Sequence, residues 1–337
     1  MHDRYYYSIL GGREKKVYKL IYEGIEKFDD AIEVPALLCV GVKLDDIVQK
    51  ILLDNPHLFF VDAHYKIESN LFSSTVKLNY LYNKTDTAIL TEKVKKVCNK
   101  ILSQVKGKTD FEKELSLHYV LARNVLYDDI AKADVLKYHA RSNTILGVLF
   151  YKTAVCEGIA KTFKLLLNAL NIKCIVSMGR ASNNSISGSD PNEYHAWNIV
   201  KIDGKAYHVD LTWDINLSTK DLIRHTYFNL TDNDISVDHT AIENYPSCDA
   251  KDNNYFYKNN LVVKCKSDLY QLIANTIKRG ESSVEFRVDK NLSAAKSSIA
   301  SFVSDCIRNI TNSQQAYSIY SFEPTGQNIY CFMWEFK

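Results

Sequence analysis

The chain lacks an excess of either charge. Its 337 residues carry 42 lysines and arginines against 40 aspartates and glutamates, with no dense basic run. That balance gives no reason to expect nucleic acid or an anionic membrane as a partner. No apolar run approaches the length that crosses a bilayer, and the opening MHDRYYYSIL lacks the basic end and apolar core of a secretory signal. A cytoplasmic protein is expected. The eight cysteines include no Cys-x-x-Cys pair; the closest, Cys156 with Cys174 and Cys248 with Cys265, are too far apart for a zinc or redox motif. Free thiols in a reducing compartment are expected, the state a nucleophilic cysteine needs. Also missing are His-Glu-x-x-His, Gly-x-x-x-x-Gly-Lys and Gly-x-Ser-x-Gly, the signatures of zinc peptidases, nucleotide-binding loops and serine hydrolases. No cofactor is expected.

What is present is 46% hydrophobic residues in a length that suits two or three domains. Residues 13–28 have helical spacing, 32–40 read as a strand and 44–53 as a helix. Two strands follow, HLFFVDAHY and TVKLNYLYN. After about Asn260 the order recurs: SDLYQLIANTIKRG as a helix, SSVEFRV as a strand, AAKSSIASFVSDCIRNI as a helix, then the strand pair AYSIYSF and NIYCFMWEF. VYKLIYEGIEKFDDAIEV aligns without a gap on LYQLIANTIKRGESSVEF, so Tyr18, Leu20, Ile21, Ile25 and Glu33 meet Tyr270, Leu272, Ile273, Ile277 and Glu285. Two related α+β modules, 1–108 and 259–337, are expected to flank a middle segment, 109–258; the alternative is that any two amphipathic helix-to-strand segments share such a pattern by chance. Different strand orders in the two modules would end that idea.

The middle segment opens with a helix, DFEKELSLHYVLARNVLYDD. A second helix follows Cys156 and turns Ile159, Phe163, Leu166, Leu167 and Leu170 to the core. A polar loop from Ala181 to Glu193 leads to His195 and is a candidate gate or a tolerated surface insertion. HAWNIVKIDGKAYHVDLTW then reads as a hairpin about Asp203-Gly204. With that two-residue turn Lys205 pairs with Ile202, and Asp210 falls opposite Trp197. His195 and Trp197 share a face, so Asp210 lies one diagonal step from His195. The arithmetic predicts a His-Asp pair, and a one-residue slip would turn Asp210 away.

Such a pair lacks only a nucleophile. Cys156 sits where a helix begins, and a thiolate there is stabilised by unpaired backbone N–H groups and by an adjacent imidazolium. Cys156 would attack a carbonyl, His195 would move the proton and Asp210 would orient His195. The motifs VCEGIAKTFKLLLNALNI, HAWNIV and YHVDLTWD, in this order, together with HYVLARNVLYDD and YFNLTDNDI, resemble the transglutaminase-like superfamily of cysteine enzymes, especially its bacterial members. The resemblance implies an α+β, papain-like core in which a nucleophile helix packs on an antiparallel sheet. It implies the same three residues as a triad, and acyl transfer through a thioester to water or an amine.

Taken singly, each residue has a plainer reading. A free cysteine is usually a buried small hydrophobe, and the other seven keep that reading. His208, on the same expected face, competes with His195 as base; the HAW context favours His195. Trp197 and Trp213 are packing residues, one of which lines the cleft. Asp214 caps or anchors the turn after the strand. The Cys156 N–H is the first candidate oxyanion donor and Tyr151 a candidate for the second, or a buried tyrosine. His225 and His239 with Asp232, Asp234 and Asp238 match no metal-ligand spacing and are expected in solvated loops. The expected activity is hydrolysis of a peptide or amide bond in a peptide or protein substrate. Cross-linking or deamidation is the alternative, and a binding module that keeps the fold is the rival class. The oligomeric state is not written in these residues.

Overall fold

The computed structural model describes residues 3–62, 64–133, 140–182, 194–220, 222–289, 296–311, 317–322 and 328–336. Gly12–Lys27 forms helix α1 because Val17, Tyr18, Ile21 and Ile25 recur at helical spacing and are all buried. It stops where Phe28 turns left-handed, with φ 65°. Against it pack Leu44–Asp54 (α2) and a three-stranded antiparallel sheet of Ala31–Pro35 (β1), Lys66–Ser69 (β2) and Ser73–Lys77 (β3), in the order β1-β3-β2. The strand expected to reach Val40 ends at Pro35, which has no N–H for a ladder, and Ala36–Cys39 turns helical. The described residues of HLFFVDAHY form no strand either. Leu58, Phe59, Phe60 and Val61 are all buried in a turn, and only an isolated bridge joins Val61 to Tyr80. Lys84–Leu102 (α3), a helix the periodicity did not place, starts where the Asn83 side chain accepts from the Asp86 N–H at 2.9 Å.

In the middle segment Asp110–Ala122 (α4) begins with a Thr109/Glu112 capping box. It ends earlier than expected, because Leu126–Tyr127 turns away to pair with Thr153–Ala154. Cys156–Ala169 (α5) lies on a four-stranded antiparallel sheet of Lys173–Ala181 (β4), Tyr194–Ile202 (β5), Lys205–Val209 (β6) and His239–Ala241 (β7), ordered β6-β5-β4-β7. The expected helix on an antiparallel sheet, with Cys156 at its start, is therefore present. Phe163, Leu166 and Leu167 are fully buried beneath it, each contributing about 1.5–3 kcal/mol. Polar bonds fix its position as well. Asn198 Nδ2 donates to the Ala160 and Ile175 carbonyls at 3.0 and 3.2 Å, and buried Lys164 donates to the Cys174 carbonyl at 2.6 Å. A short helix, Leu211–Leu217 (α6), follows β6.

The C-terminal module comprises Val262–Val263 (β8), Lys266–Lys278 (α7), Ser283–Val288 (β9), Lys296–Thr311 (α8), Tyr317–Phe322 (β10) and Ile329–Phe336 (β11). Its sheet order is β8-β9-β11-β10, with β8 parallel to β9. Apart from β8, this repeats the N-terminal order β1-β3-β2. Ala31 pairs with Lys77, which pairs with Lys66; the aligned Ser283 pairs with Met333, which pairs with Tyr320. Phe28 aligns with Gly280, and both are left-handed, at φ 65° and 74°. The strand orders agree, so the condition that would have ended the idea of two related modules is not met. One apolar cluster runs from Leu10 to Phe228 through the first module and the middle segment, while the C-terminal module holds its own around Ile273, Phe286, Val303 and Trp334. Among the described residues no helix is long and apolar enough to cross a membrane.

Candidate active site

Cys156 is the first residue of α5. The preceding Val155 is extended and offers no side-chain cap, so the first helical N–H groups are left for an anion. Gly158 allows the chain to pass tightly over this end: a Cβ there would lie 2.3 Å from the Ser142 carbonyl oxygen. Ser142 in turn is held by its hydroxyl at 2.5 Å from Asp128 Oδ2.

His195 enters from β5. Its ring stacks on Trp197, with centroids 6.1 Å apart and planes at 18°, and Nε2 lies 2.7 Å from Asp210 Oδ2. The hairpin has the expected register, from Ile202–Lys205 to Asn198–Val209, around left-handed Asp203 and Gly204. Asp210 differs from the sequence reading in one respect. The ladder ends at Val209, and Asp210 is the N-cap of α6, its Oδ1 accepting from the Trp213 N–H at 3.1 Å. Local capping therefore aims the carboxylate, while the hairpin brings it alongside His195.

Burial alone would lower the pKa of His195, but the Asp210 carboxylate and Cys156 outweigh it and hold the imidazole at about 10. Burial would raise Asp210, and His195 instead holds it well below the usual carboxylate range. With Nε2 given to Asp210, Nδ1 is the nitrogen left outside that contact, and Cys156 is among the causes that raise His195.

The neighbours sort out as follows. Trp197 is buried, and its indole N–H donates to His208 Nδ1 at 3.0 Å, which puts the imidazole proton on Nε2, 2.8 Å from Asp232. His208 thus serves Trp197 and Asp232 rather than Asp210. Tyr151 is 57% exposed, and its ring lies beneath the Arg141 guanidinium, 5.4 Å away. The loop expected to lead into His195 lies, from residue 183 to 193, outside the described residues.

The sequence reading missed His239. It was expected in a solvated loop, yet it is buried, with Nε2 3.0 Å from Asp210 Oδ2 and Nδ1 2.6 Å from Asp238 Oδ1. The strand carrying it has only three residues, too short for an alternation to show. His225 and Asp234 are likewise buried rather than solvated, because Glu285 and Arg287 of β9 supply their partners.

Two trios, His195/Asp210/His239 and His208/Asp232/Cys248, place potential metal ligand atoms within 4.8 Å. In the first, each short contact to Asp210 is accounted for by one imidazole proton. In the second, the nitrogen facing the trio already carries the proton that Trp197 assigns to it. Both suit hydrogen bonding rather than an ion.

Residues 86–211 match the family model of the transglutaminase-like superfamily. The chain carries a transglutaminase-like domain. Among solved structures it is similar to a TGase, at 15% identity over 60% of this chain and 52% of that one, with a TM-score of 0.32. A Cytophaga hutchinsonii protein provisionally assigned as a cysteine protease shares 13% identity over 57% of this chain and 80% of that one, TM-score 0.28. A Parabacteroides distasonis protein provisionally assigned as a protease shares 10% over 81% and 61%, TM-score 0.28. The chain spans about half the length of the TGase it matches. No curated protein matches it.

Behind Cys156, His195 and Asp210 the chain is braced by buried polar groups. Asp214 accepts from the Tyr227 N–H at 2.9 Å and meets His118 Nε2 at 3.0 Å. Burial pushes His118 down to about 3 and Asp214 well up, so this is a neutral hydrogen-bonded pair rather than an ion pair. Asp214 is thus an anchor, as expected. Tyr227 in turn accepts the Asp210 N–H through its carbonyl at 2.9 Å, which ties Asp210 to the segment that Glu285 holds.

Proposed function

We propose that the chain catalyses cysteine-dependent acyl transfer at a peptide or amide carbonyl, with water as acceptor. The observation that carries this reading is His195, set between Cys156 at a helix start and the buried Asp210 carboxylate. The Cys156 sulfur forms a bond to the carbonyl carbon, and the C=O π pair moves onto oxygen. The Cys156 N–H and its helical neighbours are donors for that oxyanion. As the intermediate collapses, the C–N bond breaks and His195 gives its proton to the departing amine. Forming the S–C bond removes the thiolate charge that helped hold this proton, so His195 becomes a better acid when the leaving group needs it. Water then attacks the thioester, His195 takes its proton, and the thiolate and a carboxylic acid result. Water needs no binding site of its own, which favours hydrolysis over transfer to an amine.

The test is iodoacetamide labelling at pH 6, read peptide by peptide. Burial pushes Cys98 and Cys306 up to about 11, Cys331 to about 12, and Cys174 and Cys248 higher still. Cys265 is exposed and serves as the accessible comparison thiol. Cys156 is expected to be labelled at pH 6 ahead of all the others, and His195→Ala to abolish this lead. A Cys156 as slow as the buried thiols, and indifferent to His195→Ala, would refute the reading. Hydroxamate formation when hydroxylamine is added to a turnover mixture would register the thioester.

A further inference from the structure

We propose that His239 is a positioning residue of the active site: as a second imidazolium, held between Asp210 and Asp238, it shares the Asp210 carboxylate with His195 and sets the pH range over which Cys156 and His195 form an ion pair. The inference rests on reading Cys156, His195 and Asp210 as a triad. Its ground is geometric. His239 Nε2 lies 3.0 Å from Asp210 Oδ2 and Nδ1 lies 2.6 Å from Asp238 Oδ1. A neutral imidazole has one N–H, so one of these contacts would set a lone pair against a carboxylate oxygen; a ring donating from both nitrogens satisfies both. Aromatic rings surround it, Trp213 at 4.5 Å, Trp197 at 5.1 Å and Tyr227 at 5.7 Å between centroids, and π-systems favour a cation.

The charges facing His239 alternate. Beyond Asp210 stands His195 and beyond that Cys156; on the other side Asp238 Oδ2 accepts from the Tyr227 hydroxyl at 2.7 Å. From β4, Arg180 pairs with Thr240 in the ladder and its guanidinium stacks over the Tyr194 ring. The rings of His239 and His195 are 5.4 Å apart. A positive charge at that distance favours the Cys156 thiolate and offsets the pull of Asp210 on the His195 proton. Its removal therefore makes the thiolate harder to form and His195 harder to deprotonate, which moves both limbs of the reactivity profile to higher pH. At an effective dielectric near 20 the displacement is on the order of two pH units for His195 and smaller for the thiolate beyond it.

The experiment is the pH profile of Cys156 alkylation by iodoacetamide in the wild type, His239→Gln and His239→Asn, with near-ultraviolet circular dichroism to establish folding. Glutamine keeps a donor toward Asp210 and removes the charge. The expected result in a folded variant is an alkaline displacement on the order of two pH units for the His195 limb and smaller for the thiolate limb; a folded variant whose profile coincides with the wild type overturns the proposal. A wild-type profile of an ordinary thiol, unmoved by His195→Ala, overturns the triad and the proposal with it. If neither variant folds, ¹⁵N spectra of the wild-type histidine rings decide. Two N–H groups on His239 at pH 7 support the proposal, and a single N–H overturns it while leaving the triad intact.

Discussion

Replacing Glu285 with alanine would remove the charged clamp between β9 and the segment 224–226. Glu285 Oε1 accepts from Arg224 Nε at 2.8 Å and the Thr226 hydroxyl at 3.1 Å, while Oε2 accepts from the His225 N–H at 3.1 Å and Nδ1 at 3.2 Å. Arg224 is only 1% exposed. Without the carboxylate the guanidinium keeps its hydrogen bond to the Thr226 hydroxyl at 3.2 Å, a neutral group that offers no charge in return. Leaving a buried charge uncompensated costs about 3–5 kcal/mol. A second route agrees. Burial would raise Glu285, but the hydrogen bond from His225 and the charge of Arg224 hold it at about 2, against an ordinary 4.5; at 1.36 kcal/mol per pKa unit that is roughly 3 kcal/mol. Because the folded value is the lower one, this stability is fully present above about pH 4.5 and is lost as pH falls through about 2. Urea unfolding followed by tryptophan fluorescence should show Glu285→Ala weaker by about 3–5 kcal/mol at pH 7, and the gap narrower by about 1 kcal/mol at pH 3.5. A deficit under about 1 kcal/mol at pH 7, or a gap that does not narrow in acid, would refute the reasoning.

Two further outcomes are expected. In Gly179→Ala the new Cβ would meet the Thr240 carbonyl oxygen and the Trp197 ring, both at 2.4 Å; the backbone oxygen cannot yield, so stability should fall by about 2–4 kcal/mol and displaced Trp197 should slow Cys156 labelling. A melting temperature equal to the wild type would show that the strands have slack they are not credited with. In Asp210→Asn an amide can no longer balance the His195 charge, and labelling of Cys156 at pH 6 should fall at least about tenfold. Equal labelling rates would mean that Asp210 only caps α6.

Most of the site's local ingredients were legible in the linear order of residues. Helical spacing placed Cys156 at the start of α5, and Asp203-Gly204 fixed the hairpin register, because a two-residue turn leaves no freedom in counting back along the strands. The helix-then-strand order near each end of the chain was legible for the same reason: an amphipathic helix and a short strand are each local patterns. Errors came where burial overrode alternation, as at Leu58 to Val61, where every residue is inside whatever its position in a pleat. They came also where a good capping residue claimed what looked like strand, as at Asp210.

What the sequence by itself determined is therefore the place of Cys156 at a helix start and the approximate meeting point of His195 and Asp210, both set by short-range geometry. What only the tertiary structure decided is the surroundings that tune it: His239 on Asp210, Trp197 locking the His208 tautomer, and Glu285 reaching from another module to Arg224 and His225. These contacts join residues 11 to 61 positions apart. No local periodicity encodes them. A histidine or glutamate that reads as a solvated surface residue becomes a buried one only when folding brings it a partner that offsets the loss of water.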